Sequence, residues 1–365
     1  MLTGLYPARH GLKSFENTKA ARLPKQCVTL AEILRDRGYS TAAIVNSHYL
    51  NHRYGLHRGF TDFTYIKESF DRRAPSEVGD KAAEWLTNHE APFFLFVHYY
   101  DVHSDYASLS MYEEQFVRRY LGTIDGTTEQ LAKLIDGGNV QESLDNDDVR
   151  HLVDLYDASV RQIDDEIGKL METLETNGLL DATLVVITSD HGEEFLEHGS
   201  VLHGKTQFQE VIQVPLIMKG TGLPPGTRIS EMTSLVDLMP TILKMLDIRP
   251  TESLDGVELC SLWGDYDRTS FERFLFSEAN QVGAQYAVRL PRYKLIFDEP
   301  KLRAYLFDLA NDQREQHDIS PEHVDLVATL VEQVREYMRL SSAAEPLSPL
   351  TQEEVEALKS LGYVQ

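Results

Sequence analysis

Two apolar runs of strand length end directly in polar residues, and this pattern limits the folds open to the chain. PFFLFVHYY (92–100) and TLVVITSD (183–190) suit strands buried on both faces, and STAAIV (40–45) and VPLIMKG (214–220) also resemble strands. Helical patterns alternate with them at 28–38, 76–89 and 234–248, and one long helix is predicted from Val149 to Leu174. The alternation predicts an α/β fold with a mostly parallel central sheet flanked by helices.

The pattern changes after about residue 255. Short strand-like segments such as QYAVRLPRYKLIF (285–297) are followed by a helical pattern at 321–339, which predicts a small C-terminal antiparallel sheet plus a helix. We therefore expect three parts. They are an α/β domain at 1–255 with an acidic insertion or lid at about 104–146, a C-terminal subdomain at 256–340, and a tail at 341–365 with a short helix at 351–361.

The composition excludes some partners. The formal charge is −23, from 35 Lys and Arg against 58 Asp and Glu. A nucleic-acid or anionic-membrane surface needs clustered basic residues, so we expect no nucleic acid as a partner. No apolar run approaches the ~18 residues of a membrane span. Cys27 and Cys260 form no metal-binding spacing, and we expect both to be core residues.

Asp190 and His191 follow a predicted strand, where a carboxylate and an imidazole could face one divalent ion. The carboxylate favours Ca²⁺ or Mg²⁺, and the imidazole favours Zn²⁺ or Mn²⁺. Gly192 would allow a sharp turn beside the ion. The alternative is a helix cap at a strand–helix junction.

His203 and Lys205 come shortly afterwards, in the motif HGK. A fixed cation here could stabilise charge on a tetrahedral oxyanion. The alternative for Lys205 is a solvated loop lysine.

Two further histidines follow predicted strands. His103 lies just past 92–100, where a general acid could sit, whereas His98 within that run fits a core histidine. His48 follows 40–45, and the nearby alternatives of lower rank are Asn46, His52 and Arg53.

Together these segments resemble the sulfatase family of the alkaline-phosphatase superfamily, in order and over nearly the whole chain. LTGLYPARHG (2–11) is similar to the second half of the signature Cys/Ser-x-Pro-x-Arg-x₄-Thr-Gly, and TAAIVNSHYL to TAxxGKWHLG. FFLFVHYYDVHSDY resembles FFLYVxxxDPHxPY, TSDHGEEFLEHG resembles TSDHGExLGEHG, and LKSLGYVQ resembles a common tail. The resemblance implies an alkaline-phosphatase-like fold and hydrolysis of sulfate esters, with carbohydrate or aryl sulfates as the expected substrates.

The resemblance also implies roles for particular residues. Asp190 and His191 match two ligands of a single divalent ion, usually Ca²⁺, with Mg²⁺, Mn²⁺ or Zn²⁺ as alternatives. His103 and His48 match histidines of the sulfate pocket. Lys205 matches the cation that touches the sulfate oxygens, and His203 is the alternative for that role.

The chain departs from the family pattern in one major respect. The nucleophile, a Cys or Ser oxidised to formylglycine in true sulfatases, would lie before Met1, together with acidic metal ligands and the signature arginine. Asn46 stands where many members have a lysine. We therefore expect formylglycine in a full-length protein and no activity in the chain as given.

Three explanations stay open for this departure. The chain is a fragment of a working hydrolase, a catalytically dead binding protein, or one half of a site that a partner chain completes. The competing activity is phosphonate or phosphodiester hydrolysis, which the same superfamily performs. We also expect an extracytoplasmic location, with a signal peptide before Met1.

Overall fold

A computed structural model describes residues 1–12, 21–67, 77–136, 140–263, 273–279, 284–340 and 345–346. The predicted short helix at 351–361 lies outside the described residues, as does most of the predicted tail at 341–365.

The chain alternates helices and strands over most of its described length. The α-helices are α1 (Pro7–His10), α2 (Leu30–Asp36), α3 (Glu77–Asn88), α4 (Ser110–Phe116), α5 (Thr128–Asp136), α6 (Val140–Ser143), α7 (Asn146–Thr176), α8 (Gln209–Ile212), α9 (Leu238–Met245) and α10 (Val324–Arg339). The strands are β1 (Ala21–Arg22), β2 (Ser40–Val45), β3 (Asp62–Tyr65), β4 (Phe93–His98), β5 (Val185–Thr188), β6 (Glu194–Phe195), β7 (Val201–Leu202), β8 (Leu216–Lys219), β9 (Leu275–Ala279), β10 (Gln285–Arg289), β11 (Tyr293–Asp298), β12 (Arg303–Asp308) and β13 (Glu345–Pro346). Short 3₁₀ turns cover His48–Leu50, His52–Tyr54, Leu180–Ala182, Leu235–Asp237, Cys260–Leu262 and Ser320–Glu322.

These elements group into two compact units. The first contains the described residues within Met1–Leu30, Leu184–Gly192 and His203–Pro349. The second contains those within Ala31–Thr183 and Glu193–Leu202. The domain boundary predicted near residue 255, and the interpretation of 104–146 as an insertion, stay predictions.

The second unit contains a parallel three-stranded sheet in the order β3-β2-β4. The central strand β2 is almost wholly buried, as expected for a parallel strand covered on both faces. Helix α3 packs against β2, β4 and α7. The α/β class and the parallel pairing predicted from 40–45 and 92–100 are confirmed.

Helix α7 confirms the long helix predicted from the apolar spacing. Asp145 and Asp148 form a capping box at its start. The Asp145 side chain accepts from the backbone N–H of Asp148, and the Asp148 side chain accepts from the backbone N–H of Asp145. The acidic stretch at 104–146, whose sequence has weak periodicity, contains three helices, α4, α5 and α6. They share a core with α7 and β7 that includes Tyr106, Leu131 and Leu152.

The first unit holds the two strands that flank the candidate site. Strands β5 and β8 pair antiparallel, with Val185 opposite Lys219 and Thr188 opposite Leu216. The sequence predicts both strands within a mostly parallel sheet, and this pair departs from that direction. An apolar run alone does not determine whether a strand pairs parallel or antiparallel.

The C-terminal part of the first unit is an antiparallel sheet in the order β12-β11-β10-β9, which confirms the predicted sheet plus helix. One face packs against α10 through a core that includes Val288, Leu295 and Leu306. The opposite face carries a smaller cluster of Ala287, Ile296, Phe307 and Leu309. The two faces follow the two-residue period of a strand.

None of the helices in the described ranges is long and apolar enough to cross a lipid bilayer.

Candidate active site

The segment after β5 brings a carboxylate and an imidazole together. The backbone N–H of His191 donates to Asp190 Oδ1 at 3.1 Å, and the Asp190 side chain is 61% exposed. His191 Nδ1 lies 2.8 Å from the carbonyl oxygen of Gly192. Because a carbonyl only accepts, Nδ1 donates this hydrogen bond, and Nε2 is the ring nitrogen left for a ligand. That nitrogen lies 3.8 Å from Asp190 Oδ1.

Gly192 lets a second segment approach closely. Its N–H donates to Val211 O at 2.7 Å. A Cβ on residue 192 would lie 2.1 Å from the Glu210 carbonyl oxygen, which is far inside van der Waals contact. Glycine is therefore required here by the close approach of α8, whereas the sharp turn predicted at Gly192 stays a prediction.

His203 joins the same cluster from the segment before α8. Its ring stacks on that of His191, with centroids 3.8 Å apart and planes inclined by 24°. His203 is 9% exposed, and Gly204 turns the chain with φ of +79°. Lys205 follows directly and is partly exposed. The structure thus brings His203 onto the Asp190–His191 pair and leaves Lys205 two residues further along the same segment.

The second unit holds the other two predicted histidines, after β2 and β4. Asn46 follows β2; its Oδ1 accepts from Tyr100 N at 2.8 Å and its Nδ2 donates to Asp101 Oδ2 at 3.2 Å. The rings of Tyr100 and His103 stack with centroids 4.3 Å apart. His48 is buried in the 3₁₀ turn after β2. Sequence reasoning ranks Asn46 low and does not single out Tyr100 or Asp101. The sequence feature that could have identified them is their position at or directly after the ends of two predicted parallel strands, whose carboxyl ends meet at one edge of the sheet.

The lower-ranked candidates lie in other surroundings. The His52 ring packs 4.5 Å from Phe63 and 4.7 Å from His57. Cys27 is buried, and burial raises the pKa of Cys260 to about 11, helped by the neighbouring Glu258. The prediction of a core residue is confirmed for Cys27 and wrong for Cys260, which is only partly buried at the 3₁₀ turn Cys260–Leu262, and its raised pKa disfavours the reactive thiolate.

The metal prediction can be tested against the donor set. Two ligand atoms of one ion lie about 2.0–2.6 Å from it, so a separation of 3.8 Å between His191 Nε2 and Asp190 Oδ1 fits a shared ion. Across the part of the chain that the structure describes, no group of three or more His, Cys, Asp or Glu residues could hold a metal ion. Asp190 and His191 thus fit as two ligands of an incomplete set, and the assignment stays a prediction.

Comparisons with known proteins agree with the resemblance to the sulfatase family. The sulfatase family model matches residues 1–248. A model described as N-sulphoglucosamine sulphohydrolase, C-terminal, matches residues 197–340.

Among curated proteins, the chain is similar to arylsulfatase K of Danio rerio, with 28% identity over 225 residues. That match covers 59% of the chain and 43% of the relative. Arylsulfatase K of Mus musculus is 27% identical over 199 residues, covering 52% of the chain and 36% of the relative. The chain therefore spans about two fifths of the length of these relatives.

Solved structures show the same fold. BT4656, in complex with its substrate D-glucosamine-2-N,6-O-disulfate, gives a TM-score of 0.75 at 18% identity, covering 93% of this chain and 87% of that one. The phosphonate monoester hydrolase of Agrobacterium radiobacter gives 0.73 at 17% identity, covering 96% and 89%. Because the sulfatase family model matches more than half of this chain, the chain belongs to the sulfatase family.

Proposed function

We propose that the chain carries the anion-binding part of a sulfate-ester hydrolase, with Asp190 and His191 as ligands of one divalent ion, Ca²⁺ before Mg²⁺, Mn²⁺ or Zn²⁺. The observation that carries the proposal is the ring stack of His191 and His203. His191 follows Asp190 directly after β5, and His203 lies two residues before Lys205. The sulfatase family generally uses a divalent metal and formylglycine.

Each side chain has a role in this proposal. The Lys205 ammonium neutralises charge on the sulfate oxygens, and His203 is the alternative donor to them. The proton on His191 Nδ1 is held by the Gly192 carbonyl, which fixes the tautomer and leaves Nε2 as the ligand atom. The bound ion would add positive charge beside the sulfate. His103 as the acid for the leaving alcohol, and His48 as a sulfate contact, stay predictions.

The substrate class rests on analogy. BT4656 binds a glucosamine disulfate, and the relatives with sequence similarity are arylsulfatases. We propose a small anionic carbohydrate or aryl sulfate as the substrate. We also propose an extracytoplasmic location, which cell fractionation would test.

Sulfate binding tests the core of the proposal. Inorganic sulfate is titrated into the 365-residue chain by calorimetry, with and without Ca²⁺. Lys205→Ala should weaken binding by about tenfold or more, because a hydrogen bond to a charged group contributes roughly 1.5–3 kcal/mol. Lys81→Ala, which removes an exposed lysine of α3, is the control and should leave sulfate binding unchanged. Equal affinity of Lys205→Ala and the unmodified chain would refute the role of Lys205.

Metal binding and turnover are measured on the same protein. We expect weak Ca²⁺ binding that Asp190→Asn weakens further, since Ca²⁺ prefers about six to eight oxygen ligands. We expect negligible aryl sulfatase activity, since no residue of this sequence matches the family nucleophile. Tight stoichiometric Ca²⁺ binding together with turnover would overturn both expectations.

Phosphonate or phosphodiester hydrolysis is the second candidate, and the fold shared with a phosphonate monoester hydrolase favours it. Competition between inorganic sulfate and phenylphosphonate for the Lys205-dependent site separates the two. Preference for sulfate supports the first activity, and preference for phosphonate supports the second. Binding of either anion without turnover, after a family signature segment is added before Met1, would instead indicate a binding protein.

A further inference from the structure

A buried ion pair in the first unit joins β11 of the C-terminal sheet to the loop after β12. Lys294 Nζ and Glu315 Oε1 are 2.7 Å apart, and both side chains are 0% exposed. Removing two charges from water is costly, and apolar residues of similar size are often at least as stable in such places. The pair therefore needs an explanation other than its contribution to stability.

The pair lies on the sheet face that meets the segment around α8. Lys294 has the same strand parity as Ile296, which belongs to the cluster that packs against Phe208. Lys294 Nζ lies 5.9 Å from the centroid of the Phe208 ring, and that ring lies 5.9 Å from Phe307. Burial lowers the pKa of Lys294 to about 8, against the raising effects of Glu315 and Glu210.

The carboxylate of Glu315 also reaches the backbone of this segment. Its Oε2 accepts from Gln209 N at 2.7 Å. Glu315 itself has φ of +55°, a conformation uncommon outside glycine, so the fold holds this residue in a strained backbone shape. A second contact comes from β9, where Ser277 Oγ donates to Gln207 Oε1 at 2.5 Å.

The anchored segment leads directly to the candidate site. Gln209 is four residues after Lys205, and Val211 O accepts from Gly192 N beside His191. We propose that Glu315 is a positioning residue of the candidate active site: its carboxylate holds the 203–211 segment against His191, and Lys294 balances the buried charge of that carboxylate. This inference rests on the proposed role of His203 and Lys205 in binding sulfate.

Two double variants separate positioning from stability. Lys294→Met combined with Glu315→Gln removes both charges but keeps an acceptor for Gln209 N–H. Lys294→Met combined with Glu315→Leu removes both charges and the acceptor. Lys301→Met is the matched control, because Lys301 lies between β11 and β12 of the same sheet and its side chain is 67% exposed.

The inference predicts that the Gln double variant binds inorganic sulfate nearly as well as the unmodified chain. The Leu double variant should bind it about tenfold more weakly, the scale of losing an outer-shell partner. The ring NMR signals of His191 and His203 should shift only in the Leu variant. Equal sulfate affinity and equal ring signals in the two variants would overturn the inference, whatever their unfolding midpoints.

Ser277→Ala keeps the test decisive if a double variant fails to fold. It removes one hydrogen bond to Gln207 and should weaken sulfate binding about threefold with a small shift of the His203 signal. Unchanged signals in Ser277→Ala would count against positioning by the sheet. If the unmodified chain binds no sulfate, the proposed function fails, and the ring signals of the variants still decide the positioning inference.

Discussion

The predicted catalytic histidines lie in two regions that the fold builds in different ways. In the second unit, Asn46 and Tyr100 follow β2 and β4, which are adjacent parallel strands, and one amide side chain joins the two strand ends. In the first unit, the α8 segment packs against Gly192, beside the stacked His191 and His203. This segment also contacts Ser277 of β9 and Glu315 in the loop after β12, which lie 70 and 106 positions away in the sequence.

The difference shows how much each region depends on remote contacts. Adjacent parallel strands bring their carboxyl ends to one edge, so an unremarkable polar residue is enough to connect them. The β5–β8 pair is antiparallel and supplies no such edge, so the C-terminal sheet has to hold the α8 segment. Substitutions far from the candidate site residues should therefore affect the His191–His203 cluster of the first unit more than the Asn46–Tyr100 contact of the second.

The largest effect should come from Gly192→Ala. Its Cβ would lie 2.1 Å from the Glu210 carbonyl oxygen, so the backbone has to shift, and we expect a loss of about 3 kcal/mol or more together with weaker sulfate binding. The measurement is urea unfolding together with a sulfate titration. Gly168→Ala in helix α7 is the control, since a Cβ on Gly168 would meet no neighbouring atom within 4 Å, and it should be neutral or slightly stabilising. A neutral Gly192→Ala would show that the close approach of α8 is not required.

Asn46→Ala should have an intermediate effect. It leaves the buried Tyr100 N–H without its side-chain acceptor and removes the hydrogen bond to Asp101, which should cost about 2 kcal/mol in the free energy of unfolding. Asn88→Ala, which removes an exposed side-chain hydrogen bond in α3, should cost little when measured in the same way. If the two variants are equally stable, the strand ends of the second unit are held by packing and not by Asn46.

The smallest effect should come from Asp308→Asn, at the exposed edge of the C-terminal sheet. The Arg292 guanidinium lowers the pKa of Asp308 from 3.8 to about 2, and burial opposes this. A lowered folded-state pKa stabilises the protein above pH 3.8, and the contribution is lost as the pH falls through 2. The stability difference between Asp308→Asn and the unmodified chain should thus be constant at neutral pH, shrink below about pH 4 and vanish near pH ~2. Urea unfolding over this range measures it, and a difference that persists at the acid end would contradict the pairing with Arg292.

Sequence patterns were sufficient for the kind of fold and for most of the elements. The apolar spacing after Val149 gives α7 because burial of one helix face imposes a 3,4 rhythm, and the runs at 40–45 and 92–100 give β2 and β4 for the corresponding reason. The direction of β8 was not accessible, since strand direction depends on the partner. The anchoring role of Asn46 was also underrated, because a single amide has no pattern until its neighbours are known.

The sequence by itself determined the α/β class, the family and the chemical character of the candidate residues, because periodicity and motif spacing are properties of the linear chain. Only the tertiary structure decided that His203 stacks on His191, that Gly192 is required by the approach of α8, and that Lys294 and Glu315 lie behind that segment. The physical reason is that these contacts join residues far apart in the sequence, and their geometry is set by the packing of whole elements.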